Sequence, residues 1–545
     1  MTVRFRFLER FKASHEDEKT QKKKHEKLAK NPKFSIVVPL YNSNVHHLQE
    51  MIKSVEDQVY ENWELILVNG SPDSNDLKIF LSSLSDEKIK IVTMEENRGI
   101  SGNTNAGIEV ASSDYVAFLD HDDMLNEEAL YSYAMLISED EQVDAIYSDQ
   151  DFIDEAGNFV VPLVKPCLSI DFLRCQNYIS HFLAVKTDLA KTLLMRSEYD
   201  GAQDYDFILR VWENTKNIHH VKKVLYHWRI TQNSTASDIH AKEYALDAGQ
   251  RAVEGHLKRC NLEAEVLPME RFPCSHIVKY KVTGSPCVSI VVPSLNGIEA
   301  LKRCIVSICE NTTYTNFEII VVTNNACQEI SACLEQFQKE HLNVNALVCE
   351  SNLNLAEMSN FGVERSSGEF VLLLSDSVEA FESDWLEFML GHFQRDDVGV
   401  VGAKLLFPDE TVQHAGLSFN PDNVGEPVQM FEGIGRDDGA YMDRACKQQD
   451  VLAVSSACLL TSKKIFESIG GMDEGLDGNY KDMDFCLKVG RNKKYVVYEP
   501  NALLRNHCSQ SHSENLINSA SAHKFLKKWE SVYAQGDPFA DVSYF

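Results

Sequence analysis

Three aspartates follow a short apolar run in the first third of the chain. Asp120, Asp122 and Asp123 come directly after YVAFL at 115–119. Because this run has the composition of a buried strand, we expect their carboxylates to converge at an exposed strand end rather than in the core. Mg²⁺ or Mn²⁺ prefers oxygen ligands, and a site with one or two carboxylates leaves coordination positions for a substrate diphosphate. A solvated turn with incidental acids is the alternative interpretation of these residues alone.

Two later segments carry further groups that fit the same chemistry. Asp204 and Asp206 open an amphipathic helix in GAQDYDFILRV (201–211), and His227 follows a strand in VLYHWRITQNSTA (224–236). An aspartate at a helix start is more often a cap than a base, and a single histidine is more often structural than a ligand. Their order and spacing relative to the acidic cluster favour one shared site.

The elements that must position these residues occur twice. FSIVVPLYN (34–42) recurs as VSIVVPSLN (288–296), an offset of 254 residues, and the same offset carries NWELILV (62–68) onto NFEIIVV (316–322). An offset of 255 carries SSDYVAFLD (112–120) onto the region of GEFVLLLS (368–375). Three matches at nearly one spacing indicate a duplicated domain.

Each copy has the rhythm of an α/β fold. A β-branched strand is followed by an amphipathic helix and a second buried strand, which predicts two tandem Rossmann-like domains, each a mostly parallel sheet flanked by helices. Ligands in such sheets sit beyond the carboxyl ends of strands, where PLYN, VNGSPD and LDHDD all fall. The predicted ranges are a basic leader at 1–33, domain 1 at 34–262, a linker at 263–286 and domain 2 at 287–545.

Composition and charge exclude several classes of protein. The chain has 545 residues, a formal net charge of −29 and 14 cysteines, with no apolar run of the roughly 18 residues that a membrane span needs. The N-terminus lacks the apolar core of a signal peptide, so we expect a cytoplasmic protein with reduced thiols. No GxGxxG follows the first strand, which disfavours a dinucleotide-binding dehydrogenase. The acidic body disfavours nucleic-acid binding.

The first 33 residues differ from the rest in charge. They hold 11 Lys and Arg against 5 Asp and Glu, which leaves about −35 for the remainder. VRFRFLERF followed by KTQKKKHEKLAK mixes aromatic and basic residues as an interfacial helix does. Two interpretations stay open. The leader is a solvated tail, or it binds a partner or the inner face of the plasma membrane.

Five motifs in this order carry a resemblance to a known family. PLYN, NRGISGNTNAG (97–107), LDHDD, QDYD and YHWR resemble the motifs of inverting, metal-dependent GT-A glycosyltransferases of family 2, and most closely the rhamnosyltransferase-like enzymes of bacterial O-antigen and capsule assembly. The resemblance covers about residues 34–545, and in the second copy it runs through TVQHAG (411–416) and KDMDFCLKVG (481–490). It implies a nucleoside-diphosphate-sugar donor, a glycan acceptor that is lipid-linked, and Mn²⁺ or Mg²⁺ as cofactor.

The resemblance also implies roles for individual residues of the first copy. Asp204 would be the base that removes the proton from the acceptor hydroxyl, and a carboxylate within hydrogen-bond reach suits that step. Asp120 and Asp122 would bind both donor and metal, and His227 would complete the metal or diphosphate site. The remaining donor-binding residues would be Pro39, Tyr41, Asn42 and Arg98. The family's usual VDDGS is VNGSPD here, so Asn69 or Asp73 would have to replace an acid that contacts the base.

The second copy lacks the acids at the equivalent strand end. Aligned by the preceding strand, Ser375 falls opposite Asp120 and Ser377 opposite Asp122, and Asp376 is the one acid of the triplet. Neutral hydroxyls bind a divalent cation far less well than carboxylates do.

Other positions of the second copy give evidence both against and for a second active site. Thr323 stands where the family's base-contacting aspartate would be. Asp482 and His507 remain at positions we align with Asp204 and His227, so the resemblance leaves Asp482 as a second catalytic candidate.

Three functions therefore remain. The first is a transferase with one working site, in domain 1, and a degenerate domain 2. The second is a bifunctional transferase in which Asp376 or Glu379 is turned toward a second site. The third is a scaffold that only binds a nucleotide sugar, which the complete set of acids in domain 1 disfavours.

Overall fold

The structure is a computed structural model that describes residues 28–231, 243–295, 297–324, 328–340, 343–349, 352–420, 425–508 and 520–540. Most of the predicted leader, residues 1–27, lies outside these ranges. The chain divides into two compact units, each of which is described by itself. Unit 1 holds residues 1–168, 176–261 and 266–276, and unit 2 holds 169–175, 262–265 and 277–545.

Among its described residues, the first copy of the repeat contains nine strands and eight α-helices. Its strands are β1 Phe34–Leu40, β2 Trp63–Asn69, β3 Ile89–Thr93, β4 Tyr115–Phe118, β5 Met124–Leu125, β6 Ala145–Ile153, β7 Phe159–Leu163, β8 Ala184–Lys186 and β9 Ile218–Arg229. Its helices are α1 Val45–Glu56, α2 Asn75–Ser83, α3 Gly99–Val110, α4 Ala129–Glu139, α5 Ile170–Cys175, α6 Thr187–Leu193, α7 Gln203–Asn214 and α8 Glu243–Arg259. Of these helices, α5 belongs to unit 2.

The predicted linker is not structureless, because two strands pair there. They are β10 Ala264–Pro268 and β11 His276–Tyr280.

The second copy repeats the pattern. Its strands are β12 Val288–Ser294, β13 Phe317–Asn324, β14 Val344–Cys349, β15 Phe370–Leu374, β16 Val378–Ala380, β17 Val398–Leu406, β18 Val412–His414, β19 Leu417–Phe419, β20 Pro427–Gln429, β21 Gln449–Asp450, β22 Cys458–Ser462 and β23 Tyr495–Asn506. Its helices are α9 Ile298–Glu310, α10 Gln328–Glu340, α11 Leu355–Glu364, α12 Trp385–Gly391, α13 Lys463–Ser468, α14 Gly478–Arg491 and α15 Ala520–Tyr533.

The two main sheets have equivalent strand orders, so the predicted α/β fold with tandem sheets is confirmed. The order is β3-β2-β1-β4-β8-β6-β9-β5 in the first sheet and β14-β13-β12-β15-β22-β17-β23-β16 in the second. Strands β3, β2, β1 and β4 are parallel, whereas β8 and β5 run antiparallel to their neighbours. Parallel pairing is therefore concentrated in the first half of each sheet.

The registers also repeat. Phe34 pairs with Tyr115 where β1 meets β4, and Val288 pairs with Phe370 where β12 meets β15. These pairs keep the predicted offsets of 254 and 255 residues, so Ser375 and Ser377 do occupy the chain positions of Asp120 and Asp122. Strands β1 and β12 are almost wholly buried, as central parallel strands covered on both faces must be.

A hydrogen-bonded carboxylate braces the first strands of each sheet, and in unit 1 it is buried. In unit 1, Glu64 accepts hydrogen bonds from the Ser35 hydroxyl at 2.5 Å, from the Ser112 backbone at 2.9 Å and from Lys33 at 2.9 Å, and it pairs with Lys90 at 2.8 Å. Burial opposes ionisation of this group. The four partners outweigh burial and hold the pKa of Glu64 well below its usual range.

Unit 2 keeps the same arrangement with fewer charges. Glu318 accepts from Ser289 at 2.6 Å and from the backbone and hydroxyl of Ser367, each at 2.8 Å. The duplication therefore extends from the strand order to individual side-chain hydrogen bonds.

We expect Glu64→Gln to lower the free energy of unfolding by about 2 kcal/mol at pH 7, because the amide cannot accept from both lysines. Since the folded pKa is depressed, the carboxylate stabilises the protein above its unfolded pKa near 4.5, and that stabilisation is lost as pH falls further. The difference between wild type and variant, followed by urea unfolding, should shrink from pH 7 toward pH 3. A difference that is constant with pH would contradict this assignment.

Candidate active site

One cavity of about 1180 Å³ opens at the carboxyl ends of the parallel strands of unit 1. Its wall is formed by the segments that follow β1 and β4, by the start of α3 and of α7, and by residues 176–181. Six predicted site residues line it: Pro39, Tyr41, Asn42, Asp120, Asp122 and Asp204. The structure therefore brings the nucleotide-side residues, the acidic cluster and the candidate base to one cavity.

Asp120 and Asp122 both point into this cavity, with 47% and 28% of their side chains exposed. Enclosure in the cavity, together with the charges of Asp122 and Asp204, raises the pKa of Asp120 to about 7. Burial is the largest cause of this rise, and the carboxylates of Asp122 and Asp204 add negative charge beside Asp120. The cavity is thus prepared for a cation.

The third acid of the cluster has a structural role. Asp123 is buried, accepts a hydrogen bond from the Tyr226 hydroxyl and accepts another from the backbone of Arg229 at 2.8 Å. The Arg229 side chain donates to the Asp122 carbonyl at 2.8 Å and pairs with Glu50 at 2.9 Å. These bonds fix the turn between β4 and β5, and with it the positions of Asp120 and Asp122.

Asp204 lies in the first turn of α7 and accepts a hydrogen bond from the Asn177 amide at 2.8 Å. Burial raises the pKa of Asp204, and hydrogen bonds, including that from Asn177, partly oppose the rise. The next acid of the motif, Asp206, is instead fully buried against Arg196 and Arg210. The first aspartate therefore serves the cavity, and the second holds the helix in place.

His227 does not line the cavity, contrary to the prediction of a metal ligand. Its Nδ1 lies 2.7 Å from Asp151 on the neighbouring strand β6. Side chains alternate along a strand, and Trp228, the next residue, is the one that lines the cavity. His227 consequently faces the other side of the sheet.

A different histidine takes up the position beside the acids. Nδ1 of His181 lies 4.0 Å from the Asp120 carboxylate, and its ring stacks on Tyr226 at 4.9 Å between centroids. Burial, and then the charge of Lys165, lowers the pKa of His181 to about 3, so the ring is neutral. His181 was not predicted, because residues 176–183 lack any periodic pattern.

Three predicted donor residues are absent from the cavity wall. Asn69 is buried, and its side chain accepts from the Ser71 backbone at 2.9 Å, which closes the turn after β2. Asp73 and Arg98 are both exposed. The structure explains why a glycine follows Arg98. Gly99 has a φ of +72°, which favours glycine, and an added Cβ would lie 2.5 Å from the Asp200 carboxylate.

The equivalent strand end of unit 2 is closed by neutral hydrogen bonds. The hydroxyls of Ser375 and Ser377 lie 2.7 Å apart, and Ser377 donates to Asn506 at 2.7 Å. Asp376 is buried and accepts from the Leu295 backbone at 2.8 Å. Its carboxylate is therefore engaged by the chain after β12.

The two remaining site candidates of unit 2 also have protein partners. Asp482 pairs with Lys481 at 2.6 Å, where the first copy has the neutral Gln203 beside Asp204. Nε2 of His507 lies 2.7 Å from Glu379. The strand registers also correct our alignment of His507 with His227. Met124 pairs with His227, and its counterpart Glu379 pairs with Arg505.

A metal site built from three protein side chains does not occur at these positions. In the described part of the chain, the one group of three such ligands within 4.8 Å is Glu213, His256 and Cys260. Arg259 donates to both oxygens of Glu213 there, so a guanidinium already occupies the place of a cation. Any cation at Asp120 and Asp122 would need further oxygen ligands from a substrate.

Comparison with known proteins decides the family. The model of the family described as "Glycosyl transferase family 2" matches residues 35–183 and 289–470, once in each copy. The chain belongs to glycosyl transferase family 2. Both matches include the strand ends described above, which in this family member carry acids in the first copy and serines in the second.

Two relatives match nearly the whole chain. The uncharacterized protein y4gI of Sinorhizobium fredii is 36% identical over 95% of this chain and 58% of its own length. The O-antigen biosynthesis protein RfbC of Myxococcus xanthus is 31% identical over 94% of this chain and 40% of its own length. The chain thus spans about half the length of these relatives.

Two further matches cover parts of the chain. The amylovoran biosynthesis glycosyltransferase AmsB of Erwinia amylovora is 30% identical over 33% of this chain and 64% of its own length. The crystal structure of S. aureus TarS 1–349 in complex with UDP-GlcNAc is 20% identical, covers 41% of this chain and 66% of its own, and has a TM-score of 0.35. A score of this size carries no information about the site.

We expect Mn²⁺ to raise the melting temperature of the ligand-free protein by relieving repulsion between Asp120 and Asp122. Asp122→Asn should remove this shift and leave the melting temperature without metal unchanged or higher. Ser377→Ala is the matched control in unit 2 and should keep the full shift. Thermal unfolding with 0 and millimolar Mn²⁺ measures the effect, and equal shifts in wild type and Asp122→Asn would exclude the site.

Proposed function

We propose that unit 1 transfers a sugar, with inversion, from a nucleoside-diphosphate-sugar donor to a hydroxyl of a growing bacterial surface glycan. One observation carries the proposal. The cavity of unit 1 gathers Asp120, Asp122 and Asp204 with Tyr41 and Asn42, whereas the corresponding side chains of unit 2 bond to their own unit. Membership of the glycosyl transferase family supports the reaction class.

Asp204 is the base in this proposal. As the acceptor oxygen attacks the anomeric carbon, Asp204 takes the hydroxyl proton, the bond between that carbon and the diphosphate oxygen breaks, and the nucleoside diphosphate leaves. A single displacement from the opposite face inverts the anomeric centre. Asn177 orients the carboxylate through its hydrogen bond at 2.8 Å, and burial raises the pKa of Asp204, which makes it a better proton acceptor.

Asp120 and Asp122 fit a divalent cation. Their oxygens suit Mg²⁺ or Mn²⁺, and the charges of Asp122 and Asp204 contribute, after burial, to the raised pKa of Asp120. A bound cation would supply charge neutralisation for the leaving diphosphate. His181, being neutral, does not form an ion pair with the Asp120 carboxylate, and its ring packs on Tyr226 and Trp228 in the cavity wall.

The relatives support one class of acceptor. RfbC and AmsB are described as proteins of O-antigen and amylovoran biosynthesis, which supports a bacterial polysaccharide as the product. We extend this to a lipid-linked acceptor at the cytoplasmic face of the membrane, reached through the basic leader. Within the described ranges, no helix is both long enough and apolar enough to cross a bilayer.

A donor panel tests the proposal directly. The whole protein is incubated with UDP-, GDP- and dTDP-sugars and with Mn²⁺, Mg²⁺ or chelator, and release of nucleoside diphosphate is measured. Release from one donor that depends on metal supports a transferase. Tight binding of a donor without any turnover, even with bacterial lipid-linked glycan extracts as acceptors, would support the scaffold instead. The anomeric configuration of the product, read by NMR, tests inversion.

The two candidate bases are best compared side by side. Asp204→Asn keeps shape and hydrogen bonding but cannot accept a proton, so turnover should fall by roughly 10²–10⁴-fold while donor affinity is retained. Asp482→Asn is the matched control, because Asp482 is already paired with Lys481. The product is analysed for linkage as well as amount. If Asp482→Asn removes one linkage and leaves another, unit 2 is a second transferase.

The pH dependence of transfer reports on Asn177. Since Asp204 must be ionised to act, activity should fall at acid pH with an apparent pKa above the usual aspartate value. The Asn177 hydrogen bond lowers the pKa of Asp204, so Asn177→Ala should move the acid limb of the profile to higher pH. Ser180→Ala, another change in the cavity wall, should leave the limb in place. An unshifted limb in Asn177→Ala would contradict the role of Asp204.

A further inference from the structure

The cavity of unit 1 has room for more than one small molecule. Its volume is about 1180 Å³, whereas sites for a single small-molecule ligand usually measure about 300–1,000 Å³. The proposed donor and cation residues belong to the segments at the ends of β1 and β4. Another part of the wall comes from residues within 201–205, 244–249 and 273–276, which also belong to unit 1. We call this part the α8 wall, after the helix that contains residues 244–249.

Aromatic rings form part of the α8 wall. Tyr205 and His276 are buried, and their rings stack with 6.4 Å between centroids. Tyr244 lines the cavity, although 59% of its surface is exposed. A pyranose carries C–H groups on its faces, and these groups pack on the electron-rich face of an aromatic ring. An exposed ring in a cavity wall is therefore suited to bind a sugar.

Close packing holds the Tyr244 ring beside the candidate base. Gly201 has a φ of +100°, and an added Cβ there would lie 2.5 Å from Cε2 of Tyr244. The ring thus packs directly on the backbone of a glycine that lies three residues before Asp204. A side chain at position 201 would displace the ring, so the glycine and the tyrosine fit each other.

Helix α8, which carries this tyrosine, is tied to α7 and to the residues before it. Arg251 on α8 donates to the Glu198 carbonyl at 2.7 Å. Nε of Arg259 donates to Glu213 of α7 at 2.8 Å, and Nδ1 of His256 lies 2.7 Å from the same carboxylate. These bonds position the helix before any substrate binds, which lowers the entropic cost of binding.

The charges around the cavity restrict the class of acceptor. No lysine or arginine is among the described residues that line it, whereas five carboxylates are: Asp120, Asp122, Glu155, Asp200 and Asp204. Asp200 accepts hydrogen bonds from the hydroxyl and the backbone of Ser101, which are neutral groups. Its charge therefore adds to that of Asp204 beside the α8 wall. Repulsion from these carboxylates disfavours an acceptor sugar that carries a carboxylate or phosphate group.

We propose that the α8 wall is the acceptor subsite and that it takes an uncharged sugar, whose C–H face packs on Tyr244. The attacking hydroxyl of this sugar gives its proton to Asp204 as its oxygen bonds to the anomeric carbon and the nucleoside diphosphate leaves. Asp200 and Asp204 together reject anionic sugars. The inference rests on the proposed function, because it names the acceptor class of that reaction. Tyr244 is then a residue that determines acceptor specificity.

A purely structural role for Tyr244 fits its surroundings less well. A ring that stabilises the fold does so by being removed from water, whereas more than half of the Tyr244 surface is exposed. Met135 on α4, 39% exposed, is an apolar side chain of the same unit that does not line the cavity. Met135→Ala is therefore the matched control, since it removes exposed apolar surface and leaves the cavity wall unchanged.

Binding of simple sugars tests the inference without any turnover. The whole protein with Mg²⁺ is mixed with the methyl glycosides of glucose, galactose, mannose and rhamnose, or with methyl glucuronide. Saturation transfer from protein to sugar is measured by NMR. At least one neutral glycoside should receive saturation, and methyl glucuronide should receive none.

The variants assign this binding to the ring. The signal of the neutral glycoside should fall about fivefold or more in Tyr244→Ala, because the stacking surface is lost. Tyr244→Phe keeps the ring and should recover most of the loss, and Met135→Ala should match the wild type. Absence of any neutral signal, an equal signal from methyl glucuronide, or an unchanged signal in Tyr244→Ala would overturn the inference.

Transfer kinetics test whether Tyr244 acts on the acceptor side. With the donor found by the panel and bacterial lipid-linked glycan as acceptor, Tyr244→Ala should raise the acceptor KM about fivefold or more with little change in donor KM. A rise in donor KM with an unchanged acceptor KM would contradict the assignment. If the wild type turns over no donor, the proposed function fails, and the NMR measurement still decides whether the α8 wall binds an uncharged sugar.

Discussion

The repulsion among carboxylates at one strand end is the interaction on which this account depends. Parallel strands β1 and β4 end side by side, and the chain places Asp120 and Asp122 there, facing Asp204 across one cavity. Enclosure and like charge raise the pKa of Asp120 to about 7. The ligand-free protein holds these carboxylates in place because Asp123, Arg229 and Glu50 fix the turn between β4 and β5. A cation and a diphosphate would complete the charge balance that the protein leaves open.

Unit 2 shows what the same backbone does once this repulsion is removed. Its strand end has the same register, but Ser375, Ser377 and Asn506 satisfy one another, and Asp482 is neutralised by Lys481. The hydrogen bonds around Glu318 remain intact. The second copy has therefore kept the interactions that build the sheet while its polar groups at the strand end bond internally.

The sequence predicts the fold well, because the repeat and the strand ends follow from short, strongly buried segments. Offsets of 254 and 255 residues identify the strand pairs, and helix α7 follows from its apolar periodicity. His227 failed as a cavity residue, although the signal was present. It lies between Tyr226 and Trp228 on a strand, and alternation puts it on the opposite face.

Other parts of the site follow no local pattern. His181 and Asn177 lie in an irregular segment, so neither periodicity nor spacing marks them. Residues 169–175 belong to unit 2, and Asp171 among them pairs with Arg395, 224 residues away. A local pattern carries no information on a partner at that distance.

The number of sites per chain tests the central claim most directly. Equilibrium dialysis of Mn²⁺ against the whole protein, with the nucleoside diphosphate released from the active donor, counts the metal–nucleotide sites. One site per chain that is lost in Asp122→Asn and kept in Ser377→Ala is the result predicted here. Two sites per chain, or one that survives Asp122→Asn, would contradict it.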